Sequence, residues 1–70
     1  MKLSARNIIK GRVKKVNHGL VSSEVIVGLP NDFEIVSVVT KAALENLGLK
    51  EGKEVYAVIN AADVILATDY

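Results

Sequence analysis

The chain has 70 residues and no cysteine, so it holds one small domain that disulfides cannot staple, and self-association is the expected aid to its stability. Half of the residues are apolar, which reserves surface for subunit contacts, yet no run approaches the ~20 apolar residues needed to cross a bilayer. Net charge is only +1 but unevenly spread: six cations precede Glu24, the first carboxylate, and three lysines then face eight carboxylates. Each cation of this basic arm is expected to pair with an acidic neighbour in its own fold or in another subunit before it serves as a free anion attractor.

In chain order, residues 8–16 alternate apolar Ile9 and Val13 with cationic Lys10, Arg12 and Lys14, the period of a half-buried strand. Val16 breaks the parity of Val13, so a bulge near Lys14 and Lys15 is expected to return it to the inner face. Asn17-His18-Gly19 supplies a turn. Residues 20–29 give a second strand with Val21, Ser23, Val25 and Val27 on one face, and Pro30-Asn31-Asp32 turns the chain again. Residues 33–39 read as a third strand buried on both faces, which belongs in a closed sheet or under a partner. Thr40 caps a short helix whose apolar face is Ala43, Leu44 and Leu47, and Gly48 ends it. After a turn at residues 50–53, residues 55–59 form a fourth strand, Asn60 to Asp63 breaks it, and residues 64–67 give a short fifth. The expected architecture is all-β: an OB-like five-stranded barrel with one short helix between strands three and four, as a single domain over residues 1–70.

Catalysis has little to work with. His18 is the only imidazole, in a turn, and no serine or threonine has a base or a nucleophile elbow beside it. No carboxylates cluster at metal-ligand spacing, so no metal is expected on side-chain ligands. Ser4-Ala5-Arg6-Asn7 is different in kind: a hydroxyl, a small residue, a guanidinium and an amide directly before the first strand. A tetrahedral oxyanion presents only acceptors, so a site for one needs many N–H and O–H donors, and small residues let backbone amides approach it.

This opening, with Lys10-Gly11-Arg12-Val13 behind it and with Leu49-Lys50-Glu51-Gly52 and Val55-Tyr56-Ala57-Val58-Ile59 near the end, resembles the molbindin (Mop) family over nearly the whole chain. The resemblance implies an OB-like, non-enzymatic protein that binds molybdate or tungstate as its ligand. It also implies a homohexamer built as a trimer of dimers, with the small inorganic oxyanion held at subunit interfaces. The Ser4-Ala5-Arg6-Asn7 segment would form one wall of such a site. The other wall is in the family a Lys-Ala-Ser or Lys-Ser-Thr segment after the fourth strand, where this chain has Asn60-Ala61-Ala62. That departure replaces an ammonium by a neutral amide and a hydroxyl by a methyl group, which should change affinity rather than remove the site. Gly19, Leu20 and Val21 are weaker oxyanion candidates.

A single-stranded nucleic-acid-binding OB module is the first alternative, supported by the basic first strand. It is short of rings for base stacking, since Phe33, Tyr56 and Tyr70 are the chain's only aromatics. An ion-sensing accessory subunit of a transporter or regulator is the second, without any helix-turn-helix or nucleotide motif. The N-terminus lacks the apolar core of a signal peptide, so the expected location is cytoplasmic, with no membrane partner.

Overall fold

A computed structural model describes residues 6–69. Four strands, β1 (Asn7–His18), β2 (Ser22–Gly28), β3 (Glu34–Thr40) and β4 (Glu54–Ile59), form one antiparallel sheet in the order β3-β2-β1-β4. The helix α1 (Lys41–Leu47) lies between β3 and β4, as its cap residues foretell. Thr40 Oγ1 accepts the amide of Ala43 at 3.1 Å, and Gly48 takes the left-handed conformation (φ 61°) that ends the helix and satisfies its last carbonyls.

The long strand β1 organises the sheet. Its first half pairs with β4 from Asn7↔Ile59 to Arg12↔Glu54, and its second half pairs with β2 from Arg12↔Gly28 to His18↔Ser23. The strand changes partners at Arg12, and at Gly11 beside it a Cβ atom would stand 2.5 Å from the carbonyl oxygen of Gly28 and 2.9 Å from Val27 Cγ1. Only glycine lets the two backbones come this close. The register then slips between Val13 and Lys15, so the expected bulge is present and Lys14 is its extra residue. Val16 thereby rejoins the inner face and packs against the core.

That core is small: Val13, Val25, Val27 and Leu44 are buried, with Val16, Leu29, Ile35, Val39, Leu49 and Val55 packed around them. Ser23 is buried among these strands too, and its hydroxyl has no hydrogen-bond partner among the described residues.

Three expectations need correction. No fifth strand forms at residues 64–67 among the described residues: after β4 the chain makes a 3₁₀ turn at Ala61–Asp63 and continues without ladder bonds, with Ile65 92% and Leu66 87% exposed. Its composition suits a strand, but a strand needs a partner, and among the described residues this stretch pairs with none. The sheet therefore curls into a barrel wall without closing. Second, β3 buries one face only, because Ile35, Ser37 and Val39 point inward while Val36 and Val38 are exposed. Third, β1 runs on through Asn17 and His18, and the turn falls at residues 19–21. The Pro30–Asp32 turn is a short 3₁₀ segment with Asn31 and Asp32 at positive φ.

Candidate oxyanion site

Antiparallel pairing decides which segments can share a site. Asn7 opens β1 and lies opposite Ile59, the last residue of β4, so Arg6 and Asn60, the next residues outward, sit at the same end of the sheet. Ser4 and Ala5 lie outside the described residues. Asn7 also ties the two strands together, its side-chain Nδ2 donating to the carbonyl of Ile59 at 3.3 Å. Asn7 thus works first as a clamp between the two candidate walls. This role has no sequence signal, because it depends on the strand register.

At this end several donors are uncommitted among the described residues. Arg6 is exposed and makes no ion pair or hydrogen bond among the described residues. The side chain of Asn60 caps nothing, and the turn that follows is closed by Asp63 N–H to Asn60 O at 2.9 Å and Val64 N–H to Ala61 O at 3.3 Å. The amides of Ala61 and Ala62 come too early in that turn to have an acceptor within it. Among the described residues, a guanidinium, a primary amide and two backbone N–H groups are therefore without an acceptor and suit an acceptor-only ligand. Asp63, whose backbone amide closes this turn, adds a carboxylate that opposes an anion, a feature that residue types alone did not bring out although the residue follows directly on Ala62.

Among the described residues, most of the other cations of the basic arm are committed elsewhere. Lys10 Nζ lies 3.2 Å and Arg12 Nη2 3.7 Å from the Glu54 carboxylate, Arg12 Nη1 donates to Gly52 O at 3.0 Å, and Lys14 Nζ meets Glu34 Oε2 at 2.5 Å. The hydrogen bond to Glu34 and then its charge raise the Lys14 pKa above the ordinary 10.5. Pairing inside the fold therefore takes most of the cations on β1, as expected of exposed charges facing acidic strands. Lys15 is the cation of this strand left without a partner among the described residues. Phe33, just before β3, and Tyr56, within β4, are exposed and belong to the two opposite edges of the sheet order, so they form no stacking platform.

The weaker candidates sit apart. Gly19, Leu20 and Val21 form the turn after β1, a strand-length of on the order of 35 Å from Arg6. The Val21 carbonyl accepts the Lys41 amide at 3.2 Å, and the Leu20 and Val21 side chains are exposed. His18 ends β1 in solvent. Among the described residues no three His, Cys, Asp or Glu side chains gather as a metal site, and no helix is long and apolar enough to cross a membrane.

A curled antiparallel sheet with one capping helix and a cluster of donors at one end defines a small β-class binding module. Residues 3–66 match the TOBE domain. The chain is 41% identical over 66 residues to molybdenum-pterin-binding protein 3 of Clostridium pasteurianum, covering 94% of this chain and 97% of that one. It superposes on MopII from Clostridium pasteurianum, in a form described as apo2, with a TM-score of 0.90, 36% identity and coverage of 96% and 100%. It also superposes with a TM-score of 0.90 on the cytoplasmic molybdate-binding protein ModG with molybdate bound, at 49% identity, over 93% of this chain and 46% of that one. The chain belongs to the TOBE-domain family, and within it to the molbindin (Mop) group.

Proposed function

We propose that this chain binds molybdate or tungstate as the intact oxyanion where subunits of a homo-oligomer meet, and stores it in the cytoplasm without chemical change. The observation that carries the reading is the convergence of Arg6 and Asn7 with Asn60, Ala61 and Ala62 at one end of the sheet, fixed by the Asn7↔Ile59 pair and rich in uncommitted donors. The names of the relatives, one molybdenum-pterin-binding and one crystallised with molybdate, supply the ion class.

In this reading Ser4 donates its hydroxyl, the amides of Ala5 and Arg6 point at the oxygens, and the Arg6 guanidinium supplies the positive charge. Asn60 and the amides of Ala61 and Ala62 close the opposite wall. A second copy completes the shell, because a dianion on the open surface of one chain would keep much of its water and gain little. The homohexamer, a trimer of dimers, is the assembly proposed, with Gly19, Leu20 and Val21 as a secondary oxyanion contact. Selection against sulfate and phosphate follows from cavity size and donor count. No enzymatic step is assigned, since the donors stabilise an ion and no positioned base or nucleophile accompanies them.

Titration calorimetry on the Arg6→Ala protein tests this. A hydrogen bond to a charged partner contributes about 1.5 to 3 kcal/mol, so molybdate affinity should fall roughly 10- to 150-fold. Unaltered affinity and stoichiometry would remove Arg6 from the site and with it the reading.

A further inference from the structure

The two walls of the candidate site leave the sheet side by side, and few contacts fix the gap between them. The ladder of β1 and β4 ends at the Asn7↔Ile59 pair, so Arg6 on one side and Asn60 on the other lie past its last pairing. The backbone bonds of the following turn, Asp63 N–H to Asn60 O and Val64 N–H to Ala61 O, hold the second wall together internally and do not reach the first. Among the described residues, the side-chain bond that crosses between the walls is Asn7 Nδ2 to Ile59 O at 3.3 Å, half-buried and joining positions 52 residues apart. With Nδ2 engaged there, the amide's other end is Oδ1, an acceptor, which offers nothing to an ion that presents only acceptors.

Resting on the oxyanion reading of this end of the sheet, we infer that Asn7 sets the size selectivity of the site without touching the ion, by fixing how far apart Arg6 and Asn60 stand. Ions of one shape and charge are told apart by size only where the cavity cannot shrink onto the smaller one. A clamped gap matched to molybdate or tungstate leaves the smaller sulfate with hydrogen bonds too long to count. Released from the clamp, the walls are free to close on sulfate. Molybdate then meets walls that must be ordered before it binds, and its apparent affinity falls with the fraction of chains in which they are. Loss of Asn7 therefore costs molybdate more than sulfate.

Calorimetry on the full-length parent and Asn7→Ala proteins, with molybdate titrated directly and sulfate as its competitor, tests the inference. The net contribution of a neutral hydrogen bond corresponds to a factor of roughly 2 to 12, so molybdate affinity should fall by about that much while sulfate affinity falls less. An equal loss for both ions marks a merely structural role and overturns the inference, as does an unchanged affinity for molybdate. A second protein, Asn7→Cys/Ile59→Cys, makes the clamp covalent in a chain otherwise free of cysteine. Directly opposed residues of antiparallel strands have Cα atoms about 4.5 to 5.5 Å apart, within the span of a disulfide. Oxidised, this protein should regain the parent's preference for molybdate over sulfate, and reduced it should behave as Asn7→Ala. No recovery on oxidation assigns Asn7 to the ion itself and overturns the inference. A parent that binds neither ion defeats the oxyanion reading and the inference with it, whereas every other contrary result bears on Asn7 alone.

Discussion

Replacing Gly11 by alanine tests whether the crossing of β1 from β4 to β2 sets the geometry of the sheet. The new methyl carbon would lie 2.5 Å from the Gly28 carbonyl oxygen, 2.9 Å from Val27 Cγ1 and 3.0 Å from Leu29 Cδ2. Carbon and carbonyl oxygen settle at about 3.3 Å or more, so β1 and β2 must part by nearly an ångström at a point where both are held in a ladder. Leu29 can turn aside, but the backbone oxygen cannot. Overpacking costs about 1 to 3 kcal/mol, and a rigid backbone contact places this change in the upper half of that range. For a domain of this size the thermal midpoint should fall by roughly 10 to 20 °C. Gly52 is the control: nothing lies within 4 Å of the place an added methyl carbon would take, and alanine there meets only the cost of φ at 88°, about 1 to 2 kcal/mol. Circular dichroism melts at matched protein concentration measure both. A Gly11→Ala protein that melts within a degree or two of the parent would refute the claim that this contact is tight.

Removing the helix cap with Thr40→Ala should cost about 1 kcal/mol, a drop of roughly 4 to 8 °C in the same assay, because the Ala43 amide loses its acceptor. Lys14 has a folded-state pKa raised above 10.5 by Glu34, so its contribution is present below that pH and lost as pH climbs past the raised value. Denaturant unfolding should accordingly show the parent losing more stability than Glu34→Gln between about pH 9 and pH 12, and parallel losses in the two proteins would deny the pair a role. Asn60→Lys restores an ammonium to the second wall, and calorimetry should report tighter oxyanion binding that weakens more steeply with salt. Equal salt dependence in the two proteins would mean that residue 60 does not face the ion.

Local chemistry explains which parts of this architecture could be read in advance. The bulge at Lys14 was legible because Val16 had to regain the inner face, and the helix ends were legible because Thr40 and Gly48 carry their own backbone preferences. The exposure of Val36 and Val38 was not, since a β-branched run on both faces of a strand looks the same whether a sheet or a second chain covers it. The stretch from Val64 to Ala67 has the residues of a strand, yet pairing is a property of two segments, and among the described residues none pairs with it. At the candidate site the donors Arg6, Asn60, Ala61 and Ala62 could be named from residue type. Their convergence rests on the Asn7↔Ile59 register, which no local pattern encodes. The commitment of Lys10 and Arg12 to one carboxylate, Glu54, likewise follows from which strands are neighbours.

The direct test of an oxyanion held between subunits is native mass spectrometry of the parent and of the Ser4→Ala/Arg6→Ala protein, each with and without molybdate and tungstate. The parent should appear as an oligomer retaining a fixed number of ions, and the variant should keep its subunit number while losing ions. A parent that carries no ion at any subunit number, or a variant that retains as many as the parent, would contradict the account.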